Sequence, residues 1–226
     1  MKIIGISTTT NEDKSSSKYL LKHVLSRIEQ EGHDVEFIDA NKLHIVKNLS
    51  CYTSGKESCA HPDSGKYRCW AHKNSHDEPE KFGGKDEMGE IYDAIESADI
   101  ILFATSTRWM SHSALLQTII ERMNTLENRY SSYGEENPLE KKICGVIVTG
   151  LHYQVQRVGE HIQEVMRTMG MQSPINGILA WQRTMDMSFE HPDNDLKYAR
   201  DHFLLDDDGA RQVKSFVKEI LGAKND

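Results

Sequence analysis

Short apolar runs alternate with amphipathic stretches along the chain, and this alternation limits the possible folds more than any other feature of the sequence. The apolar runs predict strands at 2–7, 34–39, 99–105, 142–150 and 175–181. Apolar residues spaced three or four positions apart predict helices at about 19–32, 88–98, 113–123, 158–170 and 206–222. Five repeats of strand and helix predict an α/β fold, a three-layer doubly wound domain with a five-stranded parallel sheet.

Composition restricts the partners of such a domain. The chain has 226 residues, enough for a single α/β domain with its own core. Its formal charge of −8 argues against a nucleic-acid surface or a patch for anionic membranes, since both need clustered Lys and Arg. No apolar run is long enough to cross a bilayer, and because the stretch MKIIGIS is short and weakly charged, we expect no signal peptide. We therefore expect a cytoplasmic protein with small-molecule partners.

Hydroxyl side chains follow three of the predicted strands. Doubly wound sheets bind ligands at the carboxyl ends of their strands, near the point where strand order reverses, so the loops after strands one, three and four matter most. The first of these loops carries Ser7, Thr8, Thr9, Thr10, Ser15, Ser16 and Ser17. The second has the sequence TSTRWMSHS (105–113) and the third TGLHYQ (149–154). These loops are the candidate ligand site.

The first loop has the features of a phosphate site. Hydroxyl groups and a helix N-terminus together supply donors and a partial positive charge. The alternative is that Ser15 or Ser16 merely caps the helix; Glu12 and Asp13 favour this alternative because they repel an anion, with only Lys14 to offset them locally. Neither G-x-G-x-x-G nor a P-loop motif occurs, so a monophosphate is favoured over a dinucleotide.

Three segments resemble the flavodoxin-like fold, and within it the NAD(P)H-dependent FMN reductase and iron–sulfur flavoprotein families. They are IIGISTTTNEDKSSSKYLL, the stretch from Lys85 to Met123, and GVIVTG (145–150). The resemblance implies sheet order 2-1-3-4-5, bound FMN and NAD(P)H as co-substrate. It also implies hydride transfer through flavin N5 to a small acceptor such as a quinone, a flavin, an azo compound or a nitro compound.

The same resemblance implies which residues contact the flavin, and it implies no catalytic side chain. By matching position, the phosphate would be held by Ser7, Thr9, Ser15, Ser16 and Ser17. The ring would lie beside Thr105, Ser106, Thr107, Arg108, Trp109 and Met110, and Thr149, Gly150 and His152 would close over its other edge. Small hydroxyl residues let the backbone approach a flat ring, and an indole can stack on it.

An ordinary strand-to-helix turn is the alternative for the second loop. In that interpretation Ser111 or Ser113 caps the following helix and Trp109 packs into the core. His112 lies at the helix start, where the partial positive charge favours a neutral imidazole. Arg108 has the charge to meet a nicotinamide phosphate or an acidic substrate, or is simply solvated.

Two segments add to the basic fold. An insert at about 47–85 is rich in Cys and His, and an extension begins at about 182. Cys51, Cys59 and Cys69 could bind zinc or an iron–sulfur cluster together with nearby His61, His72 and His76, but they lack the close pairs of compact metal sites. We therefore predict no metal and interpret the insert as a lid or a subunit-contact loop, with a metal site and a redox-active thiol as the alternatives. Cys144 lies within a predicted strand and is expected in the core.

Three classes of function remain open at this point. An FMN-dependent oxidoreductase is favoured, because the insert and the extension add material that could cover a pocket or form a homodimer or tetramer. The second class is an electron-transfer protein, either a flavodoxin-type carrier or an iron–sulfur flavoprotein-like protein. The third is a cofactor-free α/β binding or regulatory protein, which the acidic residues of the first loop keep open.

Overall fold

We analysed a computed structural model of the chain. It describes residues 1–10, 15–51, 55–150, 154–182, 203–204 and 207–223. Most of the predicted extension from about 182 lies outside the described residues.

A single parallel sheet organises the fold. Its strands are β1 (Lys2–Ser7), β2 (Asp34–Asp39), β3 (Ile100–Ser106), β4 (Ile143–Gly150) and β5 (Ile178–Gln182). They pair in parallel in the order β2-β1-β3-β4-β5, which confirms the predicted topology. Strand β1 lies between β2 and β3, so the strand order reverses between β1 and β3. Because all strands are parallel, the carboxyl ends of β1, β3 and β4 lie at the same edge of the sheet.

Helices cover both faces of the sheet. They are α1 (Ser16–Gln30), α2 (Trp70–Asp77), α3 (Pro79–Phe82), α4 (Met88–Ser97), α5 (Ala114–Ser131), α6 (Val155–Thr168) and α7 (Asp207–Gly222). Buried side chains of α1 and α7 form one apolar layer with the sheet, and those of α4, α5 and α6 form the other. Among the described residues, no helix is long and apolar enough to cross a membrane.

Several element boundaries differ from the sequence prediction, and two of these differences have a clear physical cause. Helix α5 continues past Met123 to Ser131, because Leu126 is buried and extends its apolar stripe by another turn. Strand β5 begins at Ile178 rather than at Ile175, which is 87% exposed. The cause is a turn before the strand, in which the Gly177 amide donates to the carbonyl of Pro174 at 2.9 Å.

A buried ion pair anchors the insert to the domain. Asp86 follows the insert and accepts hydrogen bonds from both terminal nitrogens of Arg122 in α5, at 3.0 and 2.7 Å. It also accepts from the Val46 amide at 2.8 Å and contacts His72 Nδ1 at 3.1 Å. Since Val46 precedes the insert and His72 lies within it, one carboxylate fixes both to α5.

Candidate functional site

A buried hydroxyl network joins the first loop to the second. The Ser113 hydroxyl donates to Thr8 Oγ1 at 3.0 Å, and Thr8 Oγ1 in turn donates to the carbonyl of Ala104 in β3 at 3.0 Å. The Ser113 amide donates to Thr105 Oγ1 at 3.1 Å. Ser113 also caps α5 by accepting from the Leu116 amide at 3.2 Å, as one of the sequence alternatives predicted. The two loops are therefore held in fixed positions relative to each other.

The N-terminus of α1 lies directly after the first loop. Ser15 caps this helix by accepting from the Lys18 amide at 3.1 Å, and its hydroxyl lies 3.2 Å from that of Ser17. Ser7, at the end of β1, is fully buried, yet its hydroxyl has no hydrogen-bond partner among the described residues. Capping and ligand binding are compatible at this point, because a cap occupies one lone pair of one serine.

Residues 108–111 form a tight turn at the tip of the second loop. The Arg108 amide donates to the Ser111 carbonyl at 2.7 Å, and the Ser111 amide donates back at 2.9 Å. Trp109 and Met110 between them have φ values of +46° and +66°, a conformation that normally favours Asn-Gly. Trp109 is 100% exposed, so the interpretation of it as a core residue is wrong.

The turn borders a cavity of about 580 Å³ at the carboxyl edge of the sheet. Side chains of the first two loops and the start of α5 line it: Thr9, Thr10, Ser106, Arg108, Ser111, His112, Ser113, Ala114, Leu115 and Gln117. The Ser106 hydroxyl is buried without a partner among the described residues. The cavity thus lies beside the carboxyl ends of β1 and β3, where the strand order predicts a ligand.

His112 is a buried titratable group in this wall. Burial lowers its pKa, the nearby His161 lowers it further, and a hydrogen bond to the Ser113 carbonyl at 3.1 Å acts in the opposite direction. The two imidazole rings are nearly parallel, with centroids 6.2 Å apart. A lowered pKa of His112 agrees with the neutral imidazole expected at a helix start.

The third loop contacts the second loop where strands β3 and β4 end. The Thr107 amide donates to the Thr149 carbonyl at 2.9 Å, which joins the ends of β3 and β4. A Cβ on Gly150 would lie 2.1 Å from Thr107 Oγ1, so this position admits no side chain unless Thr107 moves. His152, predicted to lie over the ring, is outside the described residues.

Two cysteines of the insert lie near the middle of α5, Cys59 beside Asn124 and Cys51 near Arg122, and neither lines the cavity. Burial raises the pKa of Cys59 to about 11 and also raises that of Cys51, so both are thiols at neutral pH. In the part of the chain that the structure describes, no three His, Cys, Asp or Glu side chains form a potential metal site. Cys144 is fully buried in β4, as expected.

Sequence reasoning missed two contributors to the site. It gave Thr8 and Ser113 no joint role, although their hydroxyls join two loops that are 105 residues apart. It also found no cation near the first loop other than Lys14, whereas Lys18 is buried in the first turn of α1. The helical spacing after Ser15 was a usable signal, because it places Lys18 at the third helical position.

The described residues fit a phosphorylated flavin. Two buried hydroxyls without partners, on Ser7 and Ser106, need hydrogen-bond partners from a ligand or from water. The cavity is of the size that small-molecule sites have, and the first turn of α1 carries no acidic side chain to repel a phosphate. Fold and site together define a flavodoxin-like flavoprotein.

The chain belongs to the NADPH-dependent FMN reductase family, whose sequence profile matches residues 1–186. It is accordingly an FMN-dependent oxidoreductase with NAD(P)H as co-substrate, and the flavodoxin-type carrier is less favoured. No match was found among curated proteins.

Solved structures with the same fold are distant in sequence. RosB, solved with bound 8-demethyl-8-formylriboflavin-5′-phosphate, is 16% identical with a TM-score of 0.70, over 100% of this chain and 79% of RosB. An NADH:FMN oxidoreductase in its apo form is 15% identical with a TM-score of 0.59, over 98% and 89%. The NAD(P)H:quinone oxidoreductase of Methanothermobacter marburgensis is 15% identical with a TM-score of 0.53, over 96% and 95%.

Proposed function

We propose that the protein binds FMN along the carboxyl edge of β1, β3 and β4 and uses NAD(P)H to reduce a small acceptor. The acceptor class comprises quinones, free flavins, azo compounds and nitro compounds. The observation that carries this proposal is a pair of buried hydroxyls, on Ser7 and Ser106, that have no partner among the described residues and lie at the ends of adjacent strands. Ser106 lines the cavity.

The first loop is the proposed phosphate site. Its binding residues are Ser7, Thr9, Ser15, Ser16 and Ser17, all of which are buried. The partial positive charge at the N-terminus of α1 favours an anion there. Among these residues Ser7 supports the proposal most strongly. Its hydroxyl has no hydrogen-bond partner among the described residues, so it can donate to a phosphate oxygen without breaking another hydrogen bond.

The second and third loops are the proposed ring site. The ring would lie against the backbone of 105–110, with Thr149, Gly150 and His152 on its other side. Because Gly150 has no side chain, Thr107 of the second loop can keep its position beside it. Trp109 would stack on or shield the ring, because an indole that is fully exposed without a ligand gains much by covering an apolar surface.

Bound FMN supplies hydride transfer at N5, so the protein contributes position and electrostatics rather than an acid or a base. Arg108 lies in the cavity wall with an exposed guanidinium, which is suited to a nicotinamide phosphate or an acidic acceptor. The ordered loop network of Thr8, Thr105 and Ser113 keeps the two flavin loops in register for this chemistry.

The quaternary state and location are part of the proposal. We infer a cytoplasmic homodimer or tetramer. The exposed apolar side chains of Trp109 and Met110, 100% and 64% exposed, support a contact that covers the turn.

An absorption spectrum tests the function directly. Protein purified with and without added FMN would be titrated with NADPH or NADH under anaerobic conditions. We expect flavin bands that bleach with the nicotinamide, and reoxidation by a quinone would identify the acceptor class. Bands that bleach only with dithionite would indicate an electron carrier, and a protein that retains no flavin would overturn the proposal.

A further inference from the structure

A buried lysine and carboxylate lie beneath the N-terminus of α1, next to the phosphate loop. Lys18 is 5% exposed, and its ammonium donates to Asp39 Oδ2 at 2.8 Å. We propose that Lys18 is the cation that binds the phosphate of FMN, with Asp39 as the positioning residue that holds its ammonium. This inference rests on the proposed function, since it assumes that FMN binds at this edge.

The backbone register brings these groups to one face of the sheet. Ser7 and Asp39 are paired residues at the ends of the parallel strands β1 and β2. Gly5, two residues before Ser7, faces α1, because a Cβ there would contact Leu21 and Leu25. Val35 and Phe37, which precede Asp39 at the same alternation, pack in the apolar layer of α1. Ser7 and Asp39 therefore point toward the helix that carries Lys18.

Hydrogen bonding at this point is incomplete among the described residues, although the charges of Lys18 and Asp39 balance. A cation in the first turn opposes the helix dipole, and that turn contains no acidic residue. Asp39 neutralises Lys18 from the neighbouring strand, but its Oδ1 is buried without a described partner, as is the hydroxyl of Ser7. A buried ion pair of this kind stabilises little by itself, so its presence beside a ligand loop indicates a role in binding.

A phosphate would satisfy the donors that remain. An ammonium has three N–H groups, and among the described residues one of them is used, by Asp39. The others and the Ser7 hydroxyl are available to phosphate oxygens, and a charge-assisted hydrogen bond is stronger than a neutral one. Because Asp39 already balances the charge of the lysine, the site would prefer phosphorylated flavin over riboflavin through these hydrogen bonds rather than through net charge.

The test compares FMN with riboflavin, which lacks the phosphate, by fluorescence titration of apoprotein. In Lys18→Met we expect FMN affinity to fall roughly 10- to 100-fold, with riboflavin affinity changed by about twofold or less, and competition of inorganic phosphate with FMN to disappear. Lys22→Met is the matched control, one turn along α1 with an exposed side chain, and its FMN affinity should equal that of the wild type.

A double variant keeps the test valid if the single one unfolds. Lys18→Met with Asp39→Asn removes both charges, so it leaves no unpaired carboxylate, and it should show the same selective loss for FMN. Equal losses for FMN and riboflavin, or unchanged FMN affinity in a folded variant, would overturn the role of Lys18. A wild-type protein that binds neither flavin would instead overturn the proposed function, and with it this inference.

Discussion

The guanidinium of Arg122 and the carboxylate of Asp86 form two hydrogen bonds, at 3.0 and 2.7 Å, with both side chains at most 1% exposed. Burial alone would raise the pKa of Asp86, but the hydrogen bonds from His72 and Arg122 outweigh it and hold this pKa well below its ordinary value. The contact joins the insert to α5, whose first turn borders the cavity. One ion pair therefore holds the insert against the helix that begins at the cavity.

Removing that carboxylate should destabilise the protein strongly. We expect Asp86→Asn to lower the free energy of unfolding by about 3–5 kcal/mol, because it leaves a buried guanidinium without its counter-ion. Asp77→Asn, which breaks the exposed pair with Lys73, should cost less than about 0.5 kcal/mol. Urea denaturation of the two variants measures the difference. Equal effects would show that the buried pair contributes no more than the exposed one.

The same pair predicts a loss of stability in acid. The pKa of Asp86 is lower in the folded protein than its ordinary value of 3.8, so the unfolded chain binds the proton more readily. The stability that the ionised Asp86 carboxylate contributes is present above about pH 4 and is lost as pH falls below this value. Denaturation curves from pH 5 to pH 2.5 should show a smaller decline for Asp86→Asn than for the wild type. Parallel curves would contradict this assignment.

Replacing Trp109 and Met110 by Asn and Gly should relieve strain in the turn. These residues tolerate positive φ, and a left-handed conformation costs other residues about 1–2 kcal/mol each, so thermal stability should rise. FMN affinity should fall severalfold, since the indole surface is lost.

Lys141→Gly is the control for that variant, because Lys141 also has positive φ but lies outside the cavity wall. It should gain stability without any change in FMN affinity. If the Trp109 and Met110 variant kept both the flavin spectrum and the affinity of the wild type, the turn would not contact the flavin.

Substitutions of Ser7 and Ser15 should have different effects on FMN affinity and on stability. Ser7→Ala removes a hydroxyl with no described partner, so the stability of the apoprotein should be unchanged or slightly higher, whereas FMN affinity should fall roughly fivefold. Ser15→Ala removes the cap of α1 and should cost about 1 kcal/mol of stability. Thermal unfolding and FMN titration of both variants test this contrast. A clear loss of stability in apo Ser7→Ala would indicate a structural role instead.

His112 should make the protein less stable below neutral pH. Burial lowers its pKa from the ordinary value of 6.5, so the folded state binds the proton less readily than the unfolded state. The stability contributed by the neutral ring is present above about pH 6.5 and is lost as pH falls below that value. His112→Asn should flatten the pH dependence just below 6.5, and His161→Asn should reduce it less. No change in either variant would contradict the burial of His112.

Much of the fold could be predicted from the sequence. Five apolar runs separated by helical spacing define a parallel sheet, because burial on both faces requires strands without alternation and connections long enough for a helix. Polar residues that follow β1 and β3 line one cavity for a related reason, since parallel strands bring their carboxyl ends to one edge. The family resemblance, drawn from the residues between Lys85 and Met123, was confirmed by the match over residues 1–186.

Other features depend on contacts between distant parts of the chain. Nothing near Lys18 in sequence indicates Asp39, because the pair forms where α1 packs against the end of β2. The sequence left a core position open for Trp109 as an alternative, whereas the structure places it in solvent at the tip of a turn with positive φ. Local pattern thus determined the elements and their order, while the tertiary structure decided which polar groups are buried together, since burial and unmet hydrogen bonds are properties of packed neighbours.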